Sequence, residues 1–123
     1  MFEDLQASAK DSSLKAFLDQ LQEQHIGHFN EYLLFNVANM ETTFFNNLAF
    51  LADDDIWTKE ELKEYSLVAQ TIDNDYILAT DEAVLIIPSS LNKKDSEKLP
   101  LSIWNFFKAF EDKTLESNIL SIN

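Results

Sequence analysis

Cysteine and arginine are absent from this 123-residue chain, glycine occurs once, and proline twice. Without cysteine there is no disulfide, no thiol nucleophile and no thiolate metal site, a composition that suits a reducing compartment. With one glycine, neither phosphate-cradling fingerprint, GxxxxGK[ST] or GxGxxG, can be written, and a GxSxG nucleophile elbow is excluded for the same reason. Without arginine there is no arginine finger and no bidentate phosphate clamp. The zinc motif HExxH is missing too. The only histidines are His25 and His28. They are spaced three apart and three from Glu31, but Gly27 interrupts the run, so surface or capping roles are expected rather than a metal site. The longest aliphatic stretch, Val84 to Ile87, is far too short to cross a bilayer. Met1-Phe2-Glu3-Asp4 lacks the basic opening of a secretory leader. The expectation is a cytoplasmic protein with no membrane association and no cofactor.

What the chain does have is aromatic bulk and negative charge. It is 46% hydrophobic, with ten Phe, three Tyr and two Trp. Aromatic side chains bury the most surface per residue, so an aromatic core is expected, and disorder is excluded. Acids number 22 against 9 basic residues, for a net charge of −13. Such a chain repels phosphate backbones and anionic lipid, and attracts a basic protein partner. The charge is uneven: residues 53–82 hold ten acids and two lysines. That is −8 where an even spread would place about −3, an asymmetry with two readings, an interaction surface or a solvated acidic face that serves solubility.

The chain is organised around residues 68–88, which read as three strands joined by acidic turns. Val68, Thr71 and Ile72, then Tyr76 to Leu78, then Val84 to Ile87 are strand formers. Asp73-Asn74-Asp75 and Asp81-Glu82 are turn formers. Before this meander the reading is helical, over residues 1–65. Phe2 and Leu5 give a weak first segment that frays. Asp11 or Ser12 caps a firmer helix carrying Leu14, Phe17, Leu18 and Leu21 on one face, and Gly27 stops it in left-handed geometry. Asn30 caps a second helix through Leu33, Val37, Met40 and Phe44. Residues 40–52 stay open between helix, strand and loop, because Thr42 to Phe45 is strand-prone and Asn46-Asn47 loop-prone. Thr58-Lys59-Glu60-Glu61 is a capping box, with Trp57 and Leu62 placed as a hydrophobic staple for a short helix. Residues 89–112 read as a polar loop with one helical turn, then a helix started by Pro100 and Ser102. Its Ile103, Phe106, Phe107 and Phe110 face the sheet, and Trp104 sits half exposed at the edge. Residues 113–123 form a tail docked by Ile119 and Leu120. The fold expected is α+β: one domain over 1–123, a small antiparallel meander of three or more strands packed by N-terminal helices and a C-terminal helix.

No catalytic constellation is present. Asp53 to Asp55 with Glu64 mimics a calcium loop, but Trp57 and Thr58 stand where an oxygen ligand and a glycine are needed. Carboxylate pairs for hydrolysis are too easily made by chance among so many acids. The candidate partner-binding residues are therefore Asp53, Asp54 and Asp55, the turn acids Asp73, Asp75, Asp81 and Glu82, and the aromatics Trp57 and Trp104 as anchors. The alternatives are a small hydrolase or ligand-binding domain using carboxylates in a cleft, and a homodimeric regulatory scaffold.

Residues Thr71 to Leu78, Val84 to Pro88 and Ser102 to Phe107 together resemble the C-terminal half of the SUKH superfamily. That superfamily includes relatives of fungal cell-wall-synthesis regulators and many bacterial immunity proteins. Its members carry a "GDYI"-like turn and strand, a further strand, and a final helix with an "sf-x-x-Fl" pattern. Phe29 to Asn36 resembles its "LP-x-x-Y-x-x-F-L" segment. The resemblance covers residues 57–112 and, more faintly, 29–36. Asn74 replaces the glycine, the Leu-Pro is absent, and the usual Asn-Gly is Asn36-Val37. The resemblance implies an antiparallel sheet packed by helices, and a non-enzymatic role in binding and neutralising a toxin, often a nuclease. A basic nuclease as partner suits the net charge.

Overall fold

The computed structural model describes residues 2–29, 31–35 and 37–120, leaving aside the side chains of residues 37–39. In chain order the elements are α1 (Phe2–Ala7), α2 (Leu14–Glu23), β1 (His28–Phe29), β2 (Leu33–Leu34), α3 (Val37–Phe50), β3 (Ser66–Thr71), β4 (Tyr76–Ala79), β5 (Val84–Ile87), a 3-10 turn (Lys93–Asp95), β6 (Glu97–Leu99) and α4 (Ile103–Glu111). The strands form one antiparallel sheet in the order β1-β2-β3-β4-β5-β6. The class is α+β, with helices packed on the sheet.

The expected meander is β3, β4 and β5. Every residue of β4 and β5 is buried, and the reason is that both sheet faces are covered. Ile77, Ala79, Val84 and Ile86 face one core, shared with α1, α2 and α4. Tyr76, Leu78, Leu85 and Ile87 face a second core, shared with Met40, Phe44 and Leu48 of α3 and with Leu62 and Leu91. In β3 the register shifts between Leu67 and Ala69. This bulge turns both Val68 and Ala69 to the first core while Leu67 serves the second.

The first core is aromatic, as expected. Phe107 stacks on Phe2 and Phe17 at 5.0 and 5.3 Å, and Phe17 meets Trp104 edge-on at 4.9 Å. Three expectations are corrected here. The first segment does not fray, because Phe2 and Leu5 are fully enclosed by this cluster. Trp104 is not half exposed: it is completely buried, and its Nε1 donates to the Ser13 carbonyl at 3.2 Å. The helix packs on α1 and α2 as well as on the sheet, so two of its faces are interior. The cap of α2 is Ser13, not Asp11 or Ser12. Its hydroxyl accepts from Ala16 N, while Asp11 Oδ1 accepts from Ser13 N at 2.8 Å. Hydrogen bonding from the Ser13 hydroxyl, and then from its backbone amide, holds the Asp11 carboxyl below its usual range.

Gly27 does not end α2 in left-handed geometry. That role falls to His25, with φ 54°. Ile26 N donates to the Leu21 carbonyl at 2.8 Å and His25 N to that of Gln22 at 3.2 Å, the paired bonds of a Schellman ending. The second helix is shifted as well. His28–Phe29 and Leu33–Leu34 pair as the antiparallel strands β1 and β2, and α3 starts only at Val37 and runs unbroken through the strand-prone Thr42 to Phe45. Asn30, the expected cap, lies outside the described residues. The Thr58–Glu61 capping box forms, with Glu61 N to Thr58 Oγ1 at 3.2 Å and Thr58 N to Glu61 Oε1 at 3.0 Å. It closes consecutive turns rather than a helix. The polar loop contains the expected single helical turn but also β6, an edge strand. Ser102 caps α4 as expected, accepting from Asn105 N at 3.2 Å. Leu120 is buried and Ile119 half-buried, so the tail docks.

Candidate functional site

Successive turns of a meander fall at opposite ends of the sheet, and this divides the acidic residues singled out in the sequence. Asp73 and Asp75 lie at one end of β4 and Asp81 and Glu82 at the other. Four residues of strand, about 14 Å, separate the two ends. The acids therefore form no single patch.

At the β4–β5 end, Thr80 Oγ1 accepts from Glu82 N and Ala83 N, closing the turn. Asp81 Oδ1 accepts from Leu14 N at 2.8 Å. Asp81 and Glu82 share an open groove with Glu64, Lys15 and Leu18.

At the β3–β4 end, Ile72-Asp73-Asn74 makes the tip, with Asn74 in the left-handed region at φ 68°. Thr71 holds it together: its hydroxyl accepts from Asp73 N and Asp75 N and donates to Asp75 Oδ2 at 3.2 Å. Asp75 Oδ1 accepts from Ser89 N at 3.1 Å, tying the tip to the chain leaving β5. Asp75 is thus turned inward, only 7% exposed, and is corrected from a partner contact to a structural residue. Burial raises its carboxyl above the ordinary range, outweighing the lowering by Ser89 and Thr71.

The same end carries a feature that no sequence motif flagged. A cleft of about 440 Å³ runs between α3 and the β3–β4 tip, lined by Thr43, Asn47, Phe50 and Leu51 on one side. Gln70, Asn74, Tyr76, Ser89 and Leu91 line the other. Helix α3 buries Met40, Phe44 and Leu48 at spacings of four, which turns position 50 outward. Phe50 is 88% exposed and Leu51 42%, unusual for large apolar residues in adjacent positions. Across the cleft, Tyr76 packs on Phe44 at 4.6 Å. Its phenol is raised by burial despite a hydrogen bond from Asn47. Leu91 holds a left-handed backbone, φ 62°, costly for a branched residue. Its buried side chain and the bonds Leu91 N to Pro88 O and Trp57 N to Leu91 O fix it there.

Asp53 to Asp55 follow two residues after Leu51, and all three are exposed. Their loop is anchored by Ile56 N to Asp53 O and Lys93 N to Asp55 O, and by an Ile56–Asn92 bridge. Asp73 is exposed and adjoins Asn74. The cleft is therefore flanked in sequence by acids on both walls, and none of its lining residues is basic. Trp57 lies elsewhere, half-buried in a cleft with Tyr65, Lys93 and Lys98, its Nε1 donating to Ser96 Oγ at 2.9 Å. Trp104, being core, is removed from the candidates. Of the predicted residues, Asp53, Asp54, Asp55 and Asp73 lie within two positions in sequence of a residue lining the cleft or of one another, and none lines it. Phe50 and Leu51, expected from the sequence to return the chain to the core, are instead exposed at its mouth. The available signal was position 50 falling off the buried face of α3.

Among the described residues no group of three or more His, Cys, Asp or Glu is placed to hold a metal ion, and no helix is long and apolar enough to cross a membrane. No family model, curated protein or solved structure matches the chain.

Proposed function

We propose that this chain is a non-enzymatic protein-binding domain of the immunity type, which covers and neutralises a basic toxin, a nuclease being the first choice. One observation carries the reading. Of the ten acids in residues 53–82, only Glu60 and Glu61 are in ion pairs among the described residues, with Lys63 and Lys93. Asp53, Asp54, Asp55, Asp73, Asp81 and Glu82 are exposed and in no ion pair among the described residues; Lys15 alone shares a groove with two of them, Asp81 and Glu82. An uncompensated field of this kind steers a basic partner and repels nucleic acid, membranes and copies of itself. The resemblance of residues 57–112 to the SUKH superfamily supports the same role. The hydrolytic reading would rest on the groove of Glu64, Asp81 and Glu82, and ranks second because Asp81 is already engaged as a helix cap.

The test is co-expression with the products of the adjacent genes. Rescue of growth from a toxic neighbour, with a complex that weakens as salt is raised, supports the reading. A neighbour toxin whose action is unchanged by this protein would falsify it.

A further inference from the structure

We propose that the cleft between α3 and the β3–β4 tip is a dock for an exposed arginine of the basic partner, with the guanidinium laid on the Phe50 ring. The inference rests on the protein-binding reading and names what that surface selects.

Three observations lead to it. First, Phe50 is 88% exposed and makes no ring contact among the described residues, so one face of an aromatic quadrupole is open to a cation. The same helix already uses this chemistry within the chain: Lys59 Nζ sits 5.4 Å from the Phe45 ring centre. No lysine lines the cleft to occupy Phe50 likewise. Second, the walls offer acceptors rather than charges. The Gln70 amide nitrogen donates to Asn74 Oδ1 at 2.8 Å, and among the described residues no hydrogen bond engages the Gln70 oxygen or the second lone pair of Asn74 Oδ1. The hydroxyls of Thr43 and Ser89 add two more unengaged acceptors among the described residues. Third, the chain carries a net charge of −13, no basic residue lines the cleft, and the exposed acids Asp53 to Asp55 and Asp73 lie next to its lining residues in sequence, so a cation is the charge this surface attracts.

Guanidinium suits these features better than ammonium. It is planar, it stacks on an aromatic face, and it spreads five N–H donors over a wide fork. Lysine is a compact, strongly hydrated charge and would be drawn by the acids alone. A second copy of this chain is a poor occupant, since it brings the same −13 charge and no arginine.

The experiment titrates the protein with two peptides of equal length and charge, one alternating alanine and arginine, the other alanine and lysine, followed by backbone amide shifts. The wild type is expected to bind the arginine peptide about fivefold or more tighter, with shifts at Asn47, Phe50 and Asn74. Phe50→Leu keeps the apolar surface and removes the ring; it should abolish the arginine preference and leave lysine-peptide binding unchanged. Glu116→Lys, at an exposed position of the C-terminal tail and outside the cleft, should preserve the preference. Equal binding of both peptides by the wild type, or a preference that survives Phe50→Leu, overturns the arginine dock while leaving the acidic binding role standing. A Phe50-dependent dimer in sedimentation overturns it in favour of self-association. Failure of both peptides to bind at low salt overturns this inference and the broader reading together.

Discussion

Asp81 Oδ1 accepts a hydrogen bond from the backbone nitrogen of Leu14 at 2.8 Å, across 67 positions of sequence. Leu14 is the first residue of α2, and the helix's own cap, Ser13, serves the amide of Ala16 instead. The carboxylate in the β4–β5 turn therefore supplies a partner for an amide that a helix start leaves orphaned, and places negative charge at the positive end of the helix. Asp81→Ala should cost about 1 kcal/mol and Asp81→Asn less, because the amide oxygen can still accept. Urea denaturation of both variants checks this. A binding defect in an Asp81 variant would accordingly have to be separated from loss of the cap, whereas the Glu82 side chain holds no hydrogen bond or ion pair among the described residues, so a Glu82 variant reports on binding alone.

Thr71 and Asp75 make a second prediction. The Thr71 hydroxyl already accepts two amide hydrogens, so its own hydrogen must go to Asp75. Thr71→Val keeps the shape and leaves those groups unpaired in a buried site, a loss of about 2 kcal/mol.

The raised carboxyl of Asp75 gives a pH signature. A group whose pKa is raised on folding stabilises the fold while protonated. The contribution is complete below the ordinary aspartate value of 3.8 and is lost as pH rises through the higher folded value. Asp75→Asn lacks this component. The stability of the wild type relative to Asp75→Asn should therefore be greatest in acid and decline toward neutrality. Paired denaturation curves across that range measure it, and a difference that grows with pH would contradict the assignment.

His25 and Gly27 should respond in opposite ways to what a lone glycine suggests. His25 is left-handed, so His25→Gly removes strain and is expected to raise stability by about 0.5–1 kcal/mol. Gly27 does not have a positive φ, and a Cβ built there meets nothing within 4 Å. Gly27→Ala should then be neutral or stabilising by a few tenths of a kcal/mol. Melting temperatures of the two variants decide it.

The two tryptophans predict a fluorescence contrast. With Trp57→Phe, the remaining emission comes from Trp104, fully buried, and should resist acrylamide. With Trp104→Phe, the half-buried Trp57 should be quenched more readily. Trp104→Ala is expected to cost about 3–5 kcal/mol.

Where local chemistry decided the conformation, the sequence was readable. The meander showed because β-branched runs alternate with Asp-Asn-Asp and Asp-Glu turns, and Thr58–Glu61 and Ser102 declared themselves as caps. The β1–β2 hairpin did not show, because two-residue strands carry no period, and Leu33 happens to fall in helical phase with Val37, Met40 and Phe44. The charged edge strand β6 looked like loop, since Glu97 and Lys98 interrupt any apolar alternation; Glu97 is there to hold the tail, accepting from Ser117 Oγ and Asn118 N. The candidate site was half legible. Its acids stood out as a run, but Phe50 was one phenylalanine among ten, and only the placement of α3 shows that it faces outward. Trp104 misled for the converse reason: α4 is wedged against α1 and α2 as well as the sheet, so its exposed edge is narrowed to the side of Asn105 and position 104 is interior.

The separation of the two turns by the length of β4 has a practical use. A dye, a tether or a solid support attached at Glu82 sits on the side of the molecule away from Phe50. Attachment there leaves the cleft itself open on an immobilised or labelled protein, and removes one acid of the steering field.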